Sequence, residues 1–304
     1  MIQYPGTTLG FRFGSTKTRQ FYQQLCRYIR YPIYHDRANL GKQLSEHLPA
    51  EISEFEKYGF LIFPPNHLDL ITDVTKIGRR MVAEELCLEP NRQTNSGFKK
   101  SKDYLHQLDL ATELDLESPF LKLALHPLLL ACAAQNIGML PILANLQLWY
   151  SPNVNIEDDG SQLFHLDYAD VRQMKVFVFI DDVTIDSGPL TVLGATSSAK
   201  VCNAINYKLS SDQMRVKDET IHQIVGEDDI HPLIGPSGTM GFVDTGRCFH
   251  FGSRHGKMPR AVLIIQYLSP FAFYLPWNWK KRTKFSRLAN PNTPPLIQKV
   301  LGAQ

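Results

Sequence analysis

The spacing of apolar residues changes along the chain, from three or four near the beginning to two beyond about residue 140. Leu68, Ile71, Val74, Ile77, Met81 and Leu86 keep helical spacing and predict a helix over 67–88. EISEFEKYG (51–59) has acidic residues in its first turns and Gly59 where a helix stops, so it predicts a short helix. FLIF (60–63), closed by Pro64 and Pro65, predicts a short strand. FYQQLCRYIRYPIY (21–34) predicts a helix ended by Pro32. Residues 91–104 are polar and loop-like, and 116–137 return to helical spacing with a break or start at Pro127.

Six later stretches alternate as strands do: 142–151, 162–168, 175–183, 189–194, 239–245 and 260–268. Turn signals separate them, at EDDG (157–160), DSG (186–188) and GPSG (235–238). Helices first and many short strands afterwards predict an α+β chain, mainly β. The expected architecture is a double-stranded β-helix, jelly-roll or cupin-like, with flanking N-terminal helices. The expected divisions are an N-terminal extension (1–48), a jelly-roll domain (49–275) and a basic, aromatic C-terminal tail (276–304). The glycine-rich phosphate loops GxGxxG and GxxxxGK[ST] do not occur.

Composition narrows the function classes. Hydrophobic residues at 43% and charged residues at 20% are ordinary for a globular protein. A net charge of +2 gives no basis for nucleic-acid binding. The five cysteines form no CxxC pair and are odd in number, which predicts idle thiols in a reducing compartment. The longest apolar stretch, 123–134, is interrupted by His126 and Pro127, so no membrane-crossing helix is expected. The first thirty residues lack an apolar signal core, and the expected location is cytoplasmic.

The candidate chemistry starts at FHLDYADV (164–171). In a strand, residues two apart share a face, so His165 and Asp167 converge. An HxD pair alone is more often a satisfied polar pair than a metal site. A third ligand has to come from elsewhere, and the stretch 245–268 offers His250 and His255, followed by Arg260 at the opening of an apolar strand. An arginine there is costly unless it meets an anion, and its fork matches a carboxylate. Two histidines and one carboxylate leave metal positions open, as in non-haem iron oxygenases, whereas a structural zinc site is closed and usually contains cysteine. His126, His222 and His231 have no partner at metal spacing.

EFEKYGFLIF (54–63), HLD (165–167), FIDDVTIDSGPLTVLGAT (179–196) and FVDTGRCFHFG…PRAVL (242–263) together resemble the phytanoyl-CoA dioxygenase-like family of Fe(II)/2-oxoglutarate oxygenases, over roughly 50–270. The resemblance implies that His165, Asp167 and His250 bind Fe(II), with His250 preferred over His255 for its spacing to Arg260. It implies that Arg260 pairs with the distal carboxylate of 2-oxoglutarate, with Lys175, Thr191 and Tyr150 as further candidate cosubstrate contacts. His255 and Arg172 are candidate substrate contacts. O2 is then the second cosubstrate, and ascorbate a stimulant. The chain departs from the family at Gly194-Ala195-Thr196, at Gly252 and at Val262, where other members carry polar residues.

Asp167 favours hydroxylation over halogenation, because related halogenases lack this carboxylate. The implied activity is hydroxylation of a small-molecule or lipid-linked substrate, with the Kdo sugar of lipopolysaccharide as one candidate. Alternatives are a natural-product tailoring or halogenase-type oxidase and a non-enzymatic metal-binding jelly roll. Aromatic and basic residues at 271–288, including Trp277, Trp279, Lys280, Lys281, Arg282, Lys284 and Arg287, and again at 26–37, suggest peripheral contact with an anionic membrane.

Overall fold

The structure is a computed structural model that describes residues 14–46, 48–49, 51–88, 105–108, 110, 114–153, 160–209, 214–273 and 283–303. Its helices are α1 (Thr16–Ile29), α2 (Tyr31–Ser45), α3 (Glu51–Tyr58), α4 (Leu70–Leu88), α5 (Pro119–Ala124), α6 (Pro127–Ile137), α7 (Ala195–Ala204), α8 (Asp218–His222) and α9 (Pro295–Val300). Its strands are β1 (Gly14–Ser15), β2 (Phe60–Phe63), β3 (His106–Leu108), β4 (Ile142–Ser151), β5 (Met174–Phe179), β6 (Thr191–Leu193), β7 (Lys208–Leu209), β8 (Ile230–Pro232), β9 (Met240–Val243), β10 (His250–Phe251) and β11 (Arg260–Leu268).

All strand pairs are antiparallel. A six-stranded sheet runs β2-β9-β5-β11-β4-β3, a three-stranded sheet runs β10-β6-β8, and β1 pairs with β7. The period of two sorts the large sheet into two faces. Leu146, Leu148, Val176, Val178, Ala261, Leu263, Ile265 and Tyr267 point to the helices and join Ile71, Val74, Phe120 and Leu129 in the main core. On the other face, Phe177, Phe179, Val243 and Val262 meet Val192 of the three-stranded sheet and its neighbours Leu190 and Leu233. The two sheets therefore pack through a second core. Phe285, Val300 and Leu301 near the C-terminus belong to the main core.

Gly59 ends α3 at φ 77°, and a Cβ there would run into the Sγ of Cys248. Both the conformation and the close approach require glycine. Pro127 opens α6, and the α5–α6 break falls at the expected place.

Three stretches differ from expectation. Pro32 sits in the first turn of α2 rather than ending a helix, since proline is tolerated where the N–H needs no intrahelical partner. Residues 162–168 do not form a strand. Their backbone groups find three separate partners, Val216 for Phe164, His250 for His165 and Thr245 for Asp167, so no ladder propagates. After Leu193 the chain enters α7, which was not expected, because ATSSAKVCNA lacks an apolar period.

Candidate active site

Three elements bring the metal-spaced residues together. His250 lies on β10, which pairs with β6. His165 lies opposite it in an isolated bridge, with His165 N–H donating to His250 O at 3.1 Å and His250 N–H to His165 O at 3.0 Å. Asp167 is fixed by its own N–H, which donates to Thr245 O at 2.8 Å. Donor atoms of His165, Asp167 and His250 all lie within 4.8 Å of one another, close enough for one ion to bridge.

The hydrogen bonds set the tautomers. His165 Nδ1 donates to Leu163 O at 2.8 Å, and His250 Nδ1 to Cys248 O at 3.0 Å. Each ring therefore keeps a lone pair on Nε2, the form that ligates a metal. Burial holds both imidazoles below their ordinary range, so they are neutral. Burial by itself would raise the Asp167 carboxyl, but Lys175 and then the two histidines reverse this and hold it well below the carboxylate range. Lys175 Nζ lies 2.6 Å from Asp167 Oδ2, an ion-pair distance, with the ammonium off the line of a regular hydrogen bond. Two neutral imidazoles and one carboxylate fit a divalent ion with open positions.

Beside this triad is a cavity of about 280 Å³ floored by the inner face of the large sheet. Cross-strand register divides the floor into rows. Ser151 pairs with Arg260, Trp149 with Val262 and Phe179, Gln147 with Ile264 and Phe177, and Asn145 with Gln266 and Lys175. Arg260 is buried, and its Nη2 donates to Ser253 Oγ at 2.7 Å. Among the described residues no carboxylate pairs with it, and burial alone pushes its pKa down to about 10. At the opposite end Asn145 Nδ2 donates to Gln266 Oε1 and Gln266 Nε2 to Gln173 Oε1, both at 2.8 Å.

Of the other residues singled out from the sequence, Lys175 lines this cavity. Tyr150 does not, because its parity along β4 turns it toward the helices and the main core. Thr191 is buried in β6 with its hydroxyl on Pro189 O. Arg172 is held outside the cavity by Asp244, Glu56 and Asn136. His255 is in an exposed loop at φ 54°. Ser253, Asn145, Gln147 and Gln266 were missed. The signal was available, since Gln266 shares parity with Arg260 along RAVLIIQYL, and Asn145 and Gln147 interrupt an otherwise apolar strand.

Comparison with solved structures gives three similar chains of EctD from S. alaskensis. With bound Fe it has a TM-score of 0.52 at 14% identity, covering 78% of this chain and 79% of that one. Its apoform gives 0.51 at 17%, covering 78% and 80%. With 2-oxoglutarate and 5-hydroxyectoine it gives 0.50 at 15%, covering 84% of each. The likeness is one of fold. No protein-family model and no curated protein matches the chain. Among the described residues no helix is long and apolar enough to cross a membrane.

Proposed function

We propose that this protein is an Fe(II)/2-oxoglutarate-dependent oxygenase that hydroxylates a C–H bond of a compact polar molecule. The observation that carries this reading is a His-Asp-His donor set, two of whose members, His165 and His250, line a cavity that also holds Arg260, a buried arginine with no carboxylate partner among the described residues. EctD, the similar fold, is known with Fe and with 2-oxoglutarate. We read the two facing sheets as the double-stranded β-helix of such enzymes, of phytanoyl-CoA dioxygenase-like type.

In this reading Nε2 of His165, Nε2 of His250 and the Asp167 carboxylate hold the iron. Bound iron with 2-oxoglutarate and O2 supplies the oxidising power for hydroxylation. Arg260 pairs with the far carboxylate of the cosubstrate, and Ser253 fixes the guanidinium fork through its hydrogen bond. An uncompensated buried charge costs several kcal/mol, so a carboxylate arriving there gains what the apoprotein lacks. Val262, Phe179 and Leu190 surround that end with apolar walls and exclude water.

The other end suits the substrate. From Arg260 to Gln266 the strand runs six residues, about 20 Å, well beyond the length of a five-carbon diacid. Asn145, Gln147 and Gln266 offer primary amides, which both donate and accept and so match hydroxyl groups. Trp149 Nε1 donates to Gln147 Oε1 at 3.3 Å, which orients the indole beside them. A polyhydroxylated molecule fits these amides better than a fatty acyl chain. A sugar acid of the Kdo type, free or lipid-linked, remains the finer candidate, with Lys175 as a partner for its acid group.

The test is succinate formation by protein purified without oxygen and then supplied with Fe(II), 2-oxoglutarate and O2, with pools of sugars or of fatty acids. Stimulation by the sugar pool supports the reading. No iron-dependent succinate under any condition overturns it and favours a non-enzymatic ligand-binding protein.

A further inference from the structure

Helix α1 buries two long polar side chains and exposes several large apolar ones. Its buried residues are Arg19, Gln23 and Cys26. Arg19 donates to the carbonyl of Tyr168, and Gln23 donates to the carboxylate of Asp170 and lies 3.5 Å from the Ser269 hydroxyl. Asp170 is fully buried and also accepts from the backbone N–H groups of Val171 and Ser269. Arg19 and Gln23 thus turn inward beside Cys26 and Tyr22, which reach the main core, while Phe21, Leu25, Tyr28 and Ile29 face outward.

That outward side is large. Phe21 is 69% exposed, Tyr28 80% and Ile29 65%, with Leu25 also exposed. At 3.6 residues per turn, Lys17, Tyr28, Phe21, Leu25 and Ile29 share an arc of about 120°. Tyr31 and Ile33 at the start of α2 are exposed as well. Most soluble proteins do not leave so many large apolar side chains together without something to cover them.

Charge indicates the cover. Between residues 16 and 45 Arg19 and Arg37 are buried, which leaves Lys17, Arg27, Arg30 and Lys42 as the basic residues outside the core, and the sole acid is Asp36. Asp36 is engaged by Lys299 at 2.6 Å. Lys17 is exposed on the apolar arc itself, and Arg30 stands at the α1–α2 junction. An aromatic and aliphatic stripe with basic neighbours is the pattern of a helix lying in a bilayer interface on anionic lipid. With 14 residues α1 is too short to span.

We propose that the outer face of α1 and the first turn of α2 dock this protein on an anionic lipid surface. The proposal is independent of the oxygenase reading. The test is co-sedimentation of the full chain with vesicles of phosphatidylcholine, alone or mixed with phosphatidylglycerol. Wild-type protein is expected to sediment with the mixed vesicles and to be released by high salt. The triple variant Phe21→Ser, Tyr28→Ser, Ile29→Ser is expected to bind at least tenfold more weakly while keeping the wild-type melting temperature. Lys17→Glu is expected to weaken binding to the mixed vesicles only. Equal binding by wild type and triple variant, or no binding by wild type, overturns the proposal. Wild-type dimers that the triple variant dissociates, without vesicle binding, assign the face to a second copy instead and also overturn it.

Discussion

His165 and His250 face each other across a reciprocal backbone bridge, at 3.1 and 3.0 Å, with ring centroids 4.3 Å apart. Eighty-five residues of sequence close on this one pair. Because the bridge is made by backbone groups, it survives replacement of either side chain. His165→Ala, Asp167→Ala and His250→Ala are therefore expected to fold, and each to lose about a hundredfold or more in affinity for Fe(II) or Co(II), beyond the 10–100-fold typical of outer-shell changes. Titration of the anaerobic protein with metal, beside circular dichroism of each variant, checks both parts.

The same pair sets an acid limit. Burial, the largest cause, holds both imidazoles below their ordinary value of 6.5. The unfolded chain then takes up protons first, so metal-free protein loses stability as pH falls below about 6.5. The slope is at most about 1.4 kcal/mol per pH unit for each histidine. Asp167 acts in the other window: its lowered carboxyl contributes stability above its ordinary value of 3.8 that is lost only in stronger acid. Urea midpoints at pH 7 and pH 5.5 are expected to differ more for wild type than for His250→Gln.

Arg260 is expected to trade stability for binding. Its guanidinium is buried against one hydroxyl and no carboxylate among the described residues. Arg260→Met removes an uncompensated buried charge and is expected to stabilise the metal-free protein by about 1–3 kcal/mol, a rise of a few degrees in melting temperature. The same variant is expected to lose 2-oxoglutarate binding. Thermal melts with and without 2-oxoglutarate read both effects.

Ser253, in the loop that lines the cavity, and Tyr150, on the helix side of the large sheet, give opposite expectations. Ser253→Ala removes the hydrogen bond that fixes Arg260 and is expected to weaken 2-oxoglutarate binding by about three- to tenfold, the worth of one hydrogen bond. Tyr150→Phe, on the helix side, is expected to leave that affinity within about twofold. Calorimetric titration of both variants distinguishes them.

These residues also mark how far the sequence could be read. β4 and β11 are the two longest strands, and their long, largely apolar runs were legible from end to end. The triad residues were legible by type and order. The choice of His250 over His255 came from the family resemblance rather than from spacing within a strand. Tyr150 was misjudged because its chemistry was weighed without its parity: Ser151 pairs with Arg260, so Tyr150 belongs to the opposite face. The stretch holding His165 was read as a strand, yet its backbone bonds go to three partners distant in sequence, which no local pattern reveals. Helix α7 has no periodic signal because its burial rests on Ser197, Ser198 and Val201, two of them polar and satisfied by Asp229 and by the backbone of Leu193 and Phe249. Trp277, Trp279, Lys280, Lys281 and Arg282 lie outside the described residues, whereas Lys284 and Arg287 lie in a short 3-10 helix, Lys284–Leu288.

The central claim is that one cavity binds iron and 2-oxoglutarate together. Calorimetric titration of 2-oxoglutarate into anaerobic protein, with and without Fe(II), tests it most directly. The account predicts binding that requires iron and is lost in both Asp167→Ala and Arg260→Met. Binding of equal strength without iron, or binding untouched by either substitution, would contradict it.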